Sequence, residues 1–518
     1  MAKFERTKNA TRNTIFGLIL KVYQIFIPFF MRTAMIYCMG VEYLGLNSLF
    51  SSILQVLNLA ELGVGSAMVY SMYKPIAEDN KKTVCALMNL YKLYYRIIGT
   101  VILVVGLIIC PFIDMFIKSG VPADINVYVL YLMNLGATVL SYWLFAYKNC
   151  LLSAHQRVDI TIKITLITNT ILYLIQFFIL FIVKNYYFYV AVIMLMQAIT
   201  NIVTAFRVDK MYPNFRAKGK LSIEEIRDIN SRVRDLFISK IGTVILNSVD
   251  TIVVSTFLGL ATLVIYQNYY YIVGSIIGVI GVVFYSCNAG VGNSIVVETE
   301  EKNFNDFNKF TFIIIWVSGV CLACLLCLFQ PFMEVWVGKK LMLNFMAVIC
   351  FCAYFYIWEI HAVFYLYKDA AGIWNSDRFR TLITAIVNLI MNLVMVQFWG
   401  IYGVILSTVI SMVFVGMPWL LHNLFKYVFN IKYLRGYLFK LFKYTINTIA
   451  VTFITYLICS FINGNLIYIL VIRGVISVIF PNLLFYFLYR KNIEFREMII
   501  LFDNMTKGKI KLFKRFIL

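Results

Sequence analysis

Seven ionisable side chains interrupt stretches that are otherwise apolar: the cations Lys21, Arg32, Lys240 and Arg473, and the carboxylates Glu61, Asp250 and Glu359. An ionised group held in hydrocarbon costs several kcal/mol, so such residues pair, line water or bind an ion. Their spacing extends this reading. Lys21 and Arg32 are eleven residues apart, which on a helix leaves them about 20° apart around the axis and about 16 Å apart along it. Asn47, Ser51, Gln55, Asn58 and Glu61 recur every three or four residues and make one polar helix face. Lys240, Thr243, Asn247 and Asp250 make another. An elongated space lined by cations suits a large anion, above all one carrying phosphate, which matches the guanidinium fork. The carboxylates could neutralise the cations between ligands, or take up a coupling proton or sodium ion.

Blander readings stand beside these. Lys21 and Lys240 lie near the cytoplasmic ends of their stretches and Arg32 near an outer end, where a long side chain can snorkel to the headgroups. Arg473, nine residues into its stretch, could meet an anion or simply pair with a carboxylate.

Other chemistry is missing. No glycine-rich loop ends in Lys-Ser or Lys-Thr, so nothing cradles a nucleotide triphosphate. His155, His361 and His422 are isolated from one another and form no metal pattern. Cys321, Cys324 and Cys327 share an iron–sulfur-like spacing but lack the further Cys and Pro, and read as small apolar residues of a helix. Neither a metal nor a cofactor is expected, and no acid, base and nucleophile gather as an enzyme would need.

The elements that must position these residues are transmembrane helices. The 518 residues are 62% hydrophobic and 14% charged, and roughly fourteen stretches reach the ~20 apolar residues of one bilayer crossing. They run at about 15–38, 44–70, 97–117, 125–147, 162–183, 186–206, 236–258, 262–288, 310–333, 341–366, 381–398, 401–421, 441–460 and 465–489. The third could start as early as Val84, and only the turn at Trp399-Gly400 divides the pair 381–421. With the N-terminus in the cytoplasm, 38 of the 46 Lys and Arg fall on the cytoplasmic side, 4 outside and 4 within spans. That bias satisfies the positive-inside rule and places both termini in the cytoplasm. It also accounts for the net charge of +21. The cations are spread over loops beside anionic headgroups rather than gathered on a face for nucleic acid.

The expected class is therefore an all-α polytopic membrane protein with fourteen helices. Residues 1–206 form an N-terminal six-helix bundle, 207–235 a basic cytoplasmic linker and 236–421 a C-terminal six-helix bundle. Residues 422–489 hold a cytoplasmic loop and helices thirteen and fourteen, and 490–518 a basic cytoplasmic tail. A faint repeat supports two halves: Gly63-Val64-Gly65-Ser66 closes the second span and Gly290-Val291-Gly292-Asn293 the eighth, where small residues permit close backbone approach or a helix break. Paired halves are the build of alternating-access transporters.

Several runs resemble one family in particular. They are Glu42-Tyr43-Leu44-Gly45-Leu46-Asn47-Ser48-Leu49-Phe50, Ala60-Glu61-Leu62-Gly63-Val64-Gly65-Ser66-Ala67 and Tyr73-Lys74-Pro75-Ile76-Ala77. Asn247-Ser248-Val249-Asp250, Ile265-Tyr266-Gln267-Asn268-Tyr269 and Ala289-Gly290-Val291-Gly292-Asn293 continue the likeness. Together they look like the bacterial polysaccharide flippases for O-antigen, capsule or exopolysaccharide. That family lies within the multidrug/oligosaccharidyl-lipid/polysaccharide exporter (MOP) superfamily. The resemblance implies an undecaprenyl-diphosphate-linked oligosaccharide carried from the cytoplasmic to the outer leaflet of the bacterial cytoplasmic membrane. It implies a basic cavity between two bundles, with Arg32 at the position of the family's first-helix arginine, a diphosphate contact. It makes helices thirteen and fourteen a groove for the lipid tail, and names polysaccharide polymerase and assembly proteins as partners. The expected cavity residues are Lys21, Arg32, Asn47, Gln55, Asn58, Glu61, Lys240, Asn247, Asp250, Glu359 and Arg473. An ion-coupled multidrug or metabolite exporter is the alternative, although four cations within the spans suit it poorly.

Overall fold

A computed structural model describes residues 6–61 and 63–505. The basic residue Lys3 and the end of the expected tail, 506–518, lie outside the described residues. All the regular structure described is helical, as lipid demands of a backbone that must satisfy its own hydrogen bonds. Contacts divide the chain into two compact units, Met1–Val264 and Ile265–Leu518.

The first unit opens with α1 (Arg6–Cys38), which packs on α7 (Val158–Phe178). A buried carboxylate pins the two together: Asp159 in the first turn of α7 meets Arg12 at 3.1 Å, Arg157 at 3.0 Å and Lys163 at 3.5 Å. The Asp159 amide also donates to the Asn13 side chain at 2.9 Å. The expected second span is broken. Helix α2 (Val41–Leu57) gives way to a 3-10 turn at Asn58–Glu61, and α3 (Val64–Ala77) then leads to α4 (Lys81–Ile109). Gly63 makes the break possible, since its φ is +90° and a Cβ there would lie 2.6 Å from the Leu236 Cβ. Helix α4 begins even earlier than the alternative start at Val84. It packs on α5 (Val127–Trp143), followed by the short α6 (Asn149–Ala154). Helix α8 (Tyr186–Met211) closes onto α5 and α7. Helix α9 (Ile223–Leu258), opened by a capping box at Ser222 and Glu225, lies against α2. Of the expected linker 207–235, the first residues end α8, 212–222 are not helical, and the rest extends α9.

Helix α10 (Leu260–Ser286) crosses the unit boundary and breaks at Cys287 before α11 (Asn288–Val297). Both halves of the Gly-Val-Gly echo thus fall just after a helix break. In the second unit α12 (Glu300–Val337) is central. It packs on α13 (Phe345–Ala370), α17 (Leu434–Ser460) and α18 (Leu466–Tyr489), so the two C-terminal helices belong to this unit's core. Fully buried Phe307 of α12 meets Tyr367, Phe429 and Tyr437, each with 4.9 Å between ring centres. After the single turn α14 (Trp374–Asp377), α15 (Arg380–Ser411) runs on through a π-helical stretch, Met412–Gly416, into α16 (Met417–Tyr427). Helix α19 (Ile493–Met505) ends the described chain and packs on α12.

Among the described residues, eleven helices are long and apolar enough to cross a membrane, or twelve when the pair α5 and α6, bent by 45°, counts as one crossing. The count falls short of the fourteen expected for a physical reason. Helices α2 and α3 have 17 and 14 residues, each too short alone, and Arg380–Tyr427 forms one apolar run of 48 residues. A straight helix of that length would extend about 72 Å, over twice the hydrocarbon thickness. It is not straight: Gly400 has φ 53° and ψ −130°. Asn388 donates to Thr408 at 3.0 Å, and Ser407 to Asn392 at 2.7 Å, bonds that only limbs lying side by side can make.

The tightest approach to α12 is at Gly319, where a Cβ would lie 2.6 Å from the Phe485 ring. Gly319→Ala should therefore lower thermal stability in detergent by about 1–3 kcal/mol, as overpacking does. Phe485→Leu in the same chain should recover part of the loss. An unshifted melting curve for Gly319→Ala would show that α12 and α18 are not packed at this register.

Candidate functional site

The break after α2 creates a polar site within the first unit. The 3-10 turn ends on Glu61, whose carboxylate accepts from Tyr95 at 2.7 Å and from Tyr142 at 2.7 Å. Tyr142 also lies 3.2 Å from the Asn58 side-chain oxygen Oδ1, and Tyr91 donates to Tyr95 at 2.6 Å. Tyr91 and Tyr95, four residues apart on α4, present their hydroxyls on one face, and Tyr142 comes from α5. Hydroxyl donors to a carboxylate make strong bonds, so this cluster holds the break rigid.

The other expected residues of this unit take different places. On α2, Asn47 is half-buried while Ser51 and Gln55 are exposed; only Asn58 and Glu61 turn in to the tyrosines. On α9, Lys240, Thr243 and Asn247 share an exposed face, whereas Asp250 is 7% exposed. Lys21 and Arg32 are both half-buried along α1, which bends around no break between them even though Pro28 lies inside. Of the expected set, Asn58 and Glu61 are thus brought together through Tyr142.

In the second unit, Glu359 of α13 is 1% exposed, and among the described residues neither of its oxygens has a hydrogen-bond partner. Arg473 of α18 is half-buried and donates to the Ile462 carbonyl at 3.0 Å, just beyond the end of α17. That contact ties α18 to α17, and no carboxylate pairs with Arg473 among the described residues.

Sequence reasoning missed two features. Tyr91 and Tyr95 precede the expected third span and Tyr142 lies within the fourth, and none of them was singled out; the signal was the four-residue spacing of Tyr91 and Tyr95. The hairpin at Gly400 carries a buried seam of Asn388, Asn392, Ser407 and Thr408, signalled by the i, i+4 asparagines. The histidines remain apart. His155 packs on Tyr212 with 4.5 Å between ring centres, and burial pushes its pKa below the ordinary imidazole value. The described residues contain no group of His, Cys, Asp and Glu able to hold a metal ion, and Cys321, Cys324 and Cys327 are free thiols.

No protein-family model matches the sequence, and comparison with curated proteins gives no match. Solved structures do match. The lipid II flippase MurJ in an inward closed conformation has a TM-score of 0.67 at 17% identity, over 92% of this chain and 99% of that one. A multidrug resistance MATE-family transporter of the MOP superfamily matches in its inward-facing conformation with a TM-score of 0.58 at 14% identity, over 81% of this chain and 99% of that one. An outward-facing MATE-family structure matches at 0.53 and 13% identity, over 81% of this chain and 95% of that one. At such identities the likeness establishes the fold: this is a polytopic membrane protein with the fold shared by MurJ and the MATE transporters.

Because Tyr95 and Tyr142 share one carboxylate, their substitutions should not add. Tyr95→Phe and Tyr142→Phe should each cost about 1 kcal/mol of unfolding free energy in micelles. In a Glu61→Gln background both effects should shrink, a coupling that a double-mutant cycle measures. Purely additive losses would mean that the carboxylate does not organise the cluster.

Proposed function

We propose that the protein is a flippase that moves an undecaprenyl-diphosphate-linked oligosaccharide from the cytoplasmic to the outer leaflet of a bacterial cytoplasmic membrane by alternating access, for cell-surface polysaccharide synthesis. The observation that carries this reading is the fold match to a lipid II flippase over 92% of the chain, against 81% for the MATE transporters. The larger share leaves room for α17 and α18, and the sequence likeness to polysaccharide flippases points to the same substrate class. The step involves no covalent chemistry.

Fourteen crossings fit this reading. They are the ten long helices other than Arg380–Tyr427, the bent pair of α5 and α6, the broken pair of α2 and α3, and the two limbs into which Arg380–Tyr427 folds at Gly400. An even count keeps both termini in the cytoplasm, in agreement with the charge bias. On the halves proposed from the sequence, 1–206 and 236–421 are the six-helix bundles, 207–235 the linker, 422–489 the added pair with its loop and 490–518 the tail.

Lys21 and Arg32 are assigned to the diphosphate, since a guanidinium matches phosphate oxygens in pairs. Lys240 and Asn247 present polar groups from the exposed face of α9, as Asn47 and Gln55 do from α2. Asp250 and Glu359 are the candidates for a coupling proton or sodium ion. Arg473 is assigned to holding α17 and α18 together beside the lipid tail. Polymerase and assembly proteins are the proposed partners.

Reconstituted into proteoliposomes, the protein should speed the passage of a polyprenyl-diphosphate oligosaccharide between leaflets and leave its bonds intact. Arg32→Ala should cost more flux than Arg32→Lys, because lysine keeps the charge and loses the fork. Lys240→Ala should be milder. No lipid movement across a sodium, proton and voltage series, together with export of a cationic dye, would favour the multidrug alternative.

A further inference from the structure

Next to the Glu61 cluster, the first unit contains a cavity of about 530 Å³, within the range of small-molecule sites. Two polar ladders face it. On α3, Ser66, Tyr70 and Tyr73 recur at i, i+4 and i+7, and on α6, Asn149 and Ser153 lie at i and i+4. The two helices pack against each other. Gly65, Val69, Cys150 and Tyr91 complete the lining.

Four of the lining residues have capacity to spare. The Asn149 Oδ1 is buried and accepts no hydrogen bond. Tyr91 gives its proton to Tyr95, so its oxygen is left to accept a proton from a ligand and join it to the relay ending on Glu61. Gly65 keeps that hydroxyl accessible, since a Cβ there would come within 3.1 Å of it. Tyr70 and Tyr73 are 62% and 47% exposed and meet edge to face at 6.3 Å, which leaves ring surface for a ligand. Arg232 lies 4.9 Å from the Tyr70 ring and is held there by Asp228 at 2.6 Å.

The chemistry of the lining narrows the ligand. No charged side chain is among the described lining residues, and the neighbouring Arg232 is already paired with Asp228, so the cavity presents neither a diphosphate nor a cationic drug with a free counter-charge. An acyl chain would bury Asn149 and the hydroxyls without partners. A ring with an apolar face and a rim of hydroxyls satisfies both the tyrosines and the amide. We propose that this cavity is a subsite for a neutral sugar residue. Tyr70 and Tyr73 pack on the sugar's C–H face, Asn149 and Ser153 bind its hydroxyls, and one hydroxyl donates to Tyr91. That the sugar belongs to a lipid-linked oligosaccharide rests on the flippase reading; recognition of the sugar by these residues does not.

The test uses the full chain in lipid nanodiscs and saturation-transfer NMR with a panel of free neutral saccharides: maltotriose, chitotriose and cellobiose, with inorganic pyrophosphate as the anionic control. At least one saccharide should bind with a millimolar Kd, from about 1 to 10 mM, and pyrophosphate should not compete. Asn149→Ala and Tyr73→Ala should each weaken that binding about tenfold, whereas His422→Ala, at an exposed position of α16, should leave it unchanged. Ser153→Val, with a melting curve matching the wild type, guards against loss through misfolding and should also weaken binding. Absence of binding across the panel, binding that survives all three cavity substitutions, or displacement by pyrophosphate would each overturn the proposal. Saccharide binding without any flipping of a sugar-bearing lipid in proteoliposomes would instead leave the cavity in place and remove the flippase reading.

Discussion

Every backbone amide and carbonyl that enters hydrocarbon must find a partner within the protein, and the rest of the structure follows from that constraint. It dictates that the regular structure of the described residues is all helical, and it makes each interruption of a helix expensive. Interruptions are therefore found where neighbouring protein can receive them. The break between α2 and α3 is pressed against α9 at Gly63, where Leu236 and Val233 leave no room for a side chain. Its polar ends are met by Tyr95 and Tyr142. The turn at Gly400 folds two limbs together, and their buried amides and hydroxyls satisfy one another. Breaks of this kind are where a membrane protein concentrates polar groups without exposing them to lipid.

Much of this architecture was legible in the sequence, because hydropathy reports directly on the solvent that a helix faces. The spans from Ile15, Tyr186 and Leu466 coincide closely with observed helices. The doubtful places were doubtful for good reason. Hydropathy saw Trp399-Gly400 as a small dip, while the backbone there turns completely. It extended the second span across Glu61 because the flanking residues are apolar, and a window of apolar residues carries no record of a dihedral at Gly63. The start of α4 was obscured by Lys81, Lys82 and Lys92, which suit the cytoplasmic overhang of a long helix as well as they suit a loop.

The site was legible only in part. Helical periodicity placed Asn47, Ser51, Gln55, Asn58 and Glu61 on one face by assuming an unbroken helix. The 3-10 turn rotates the last two away, toward tyrosines that no acidic or basic pattern could have singled out. On α9 the same periodicity holds for Lys240, Thr243 and Asn247, and burial then separates Asp250 from them. Arg473 shows the limit of composition: a cation within a span leaves an anion or a carboxylate open as its partner, and nothing in its position pointed to the Ile462 carbonyl, past the end of a neighbouring helix, to which it donates. Buried helix ends and buried charges thus answer to the same requirement.

Under the proposed flippase reading, the distribution of charge over the first unit gives the two unlike ends of the substrate two unlike places. A diphosphate and a neutral sugar make opposite demands, since the first needs fixed cations and the second needs amides, hydroxyls and aromatic faces free of competing charge. Lys21 and Arg32 lie on α1, while the cavity between α3 and α6 has no charged lining among its described residues. Glu61 belongs to neither place: Tyr91 and Tyr95 stand between its carboxylate and the cavity, conveying hydrogen bonds without delivering a net charge. A carboxylate screened in this way can organise a polar pocket without repelling a nearby phosphate at short range, since interposed hydroxyls replace direct contact between like charges. The helix break, the tyrosine relay and the uncharged cavity are then parts of one arrangement, in which the polar groups that a broken helix requires are also those that a saccharide can use.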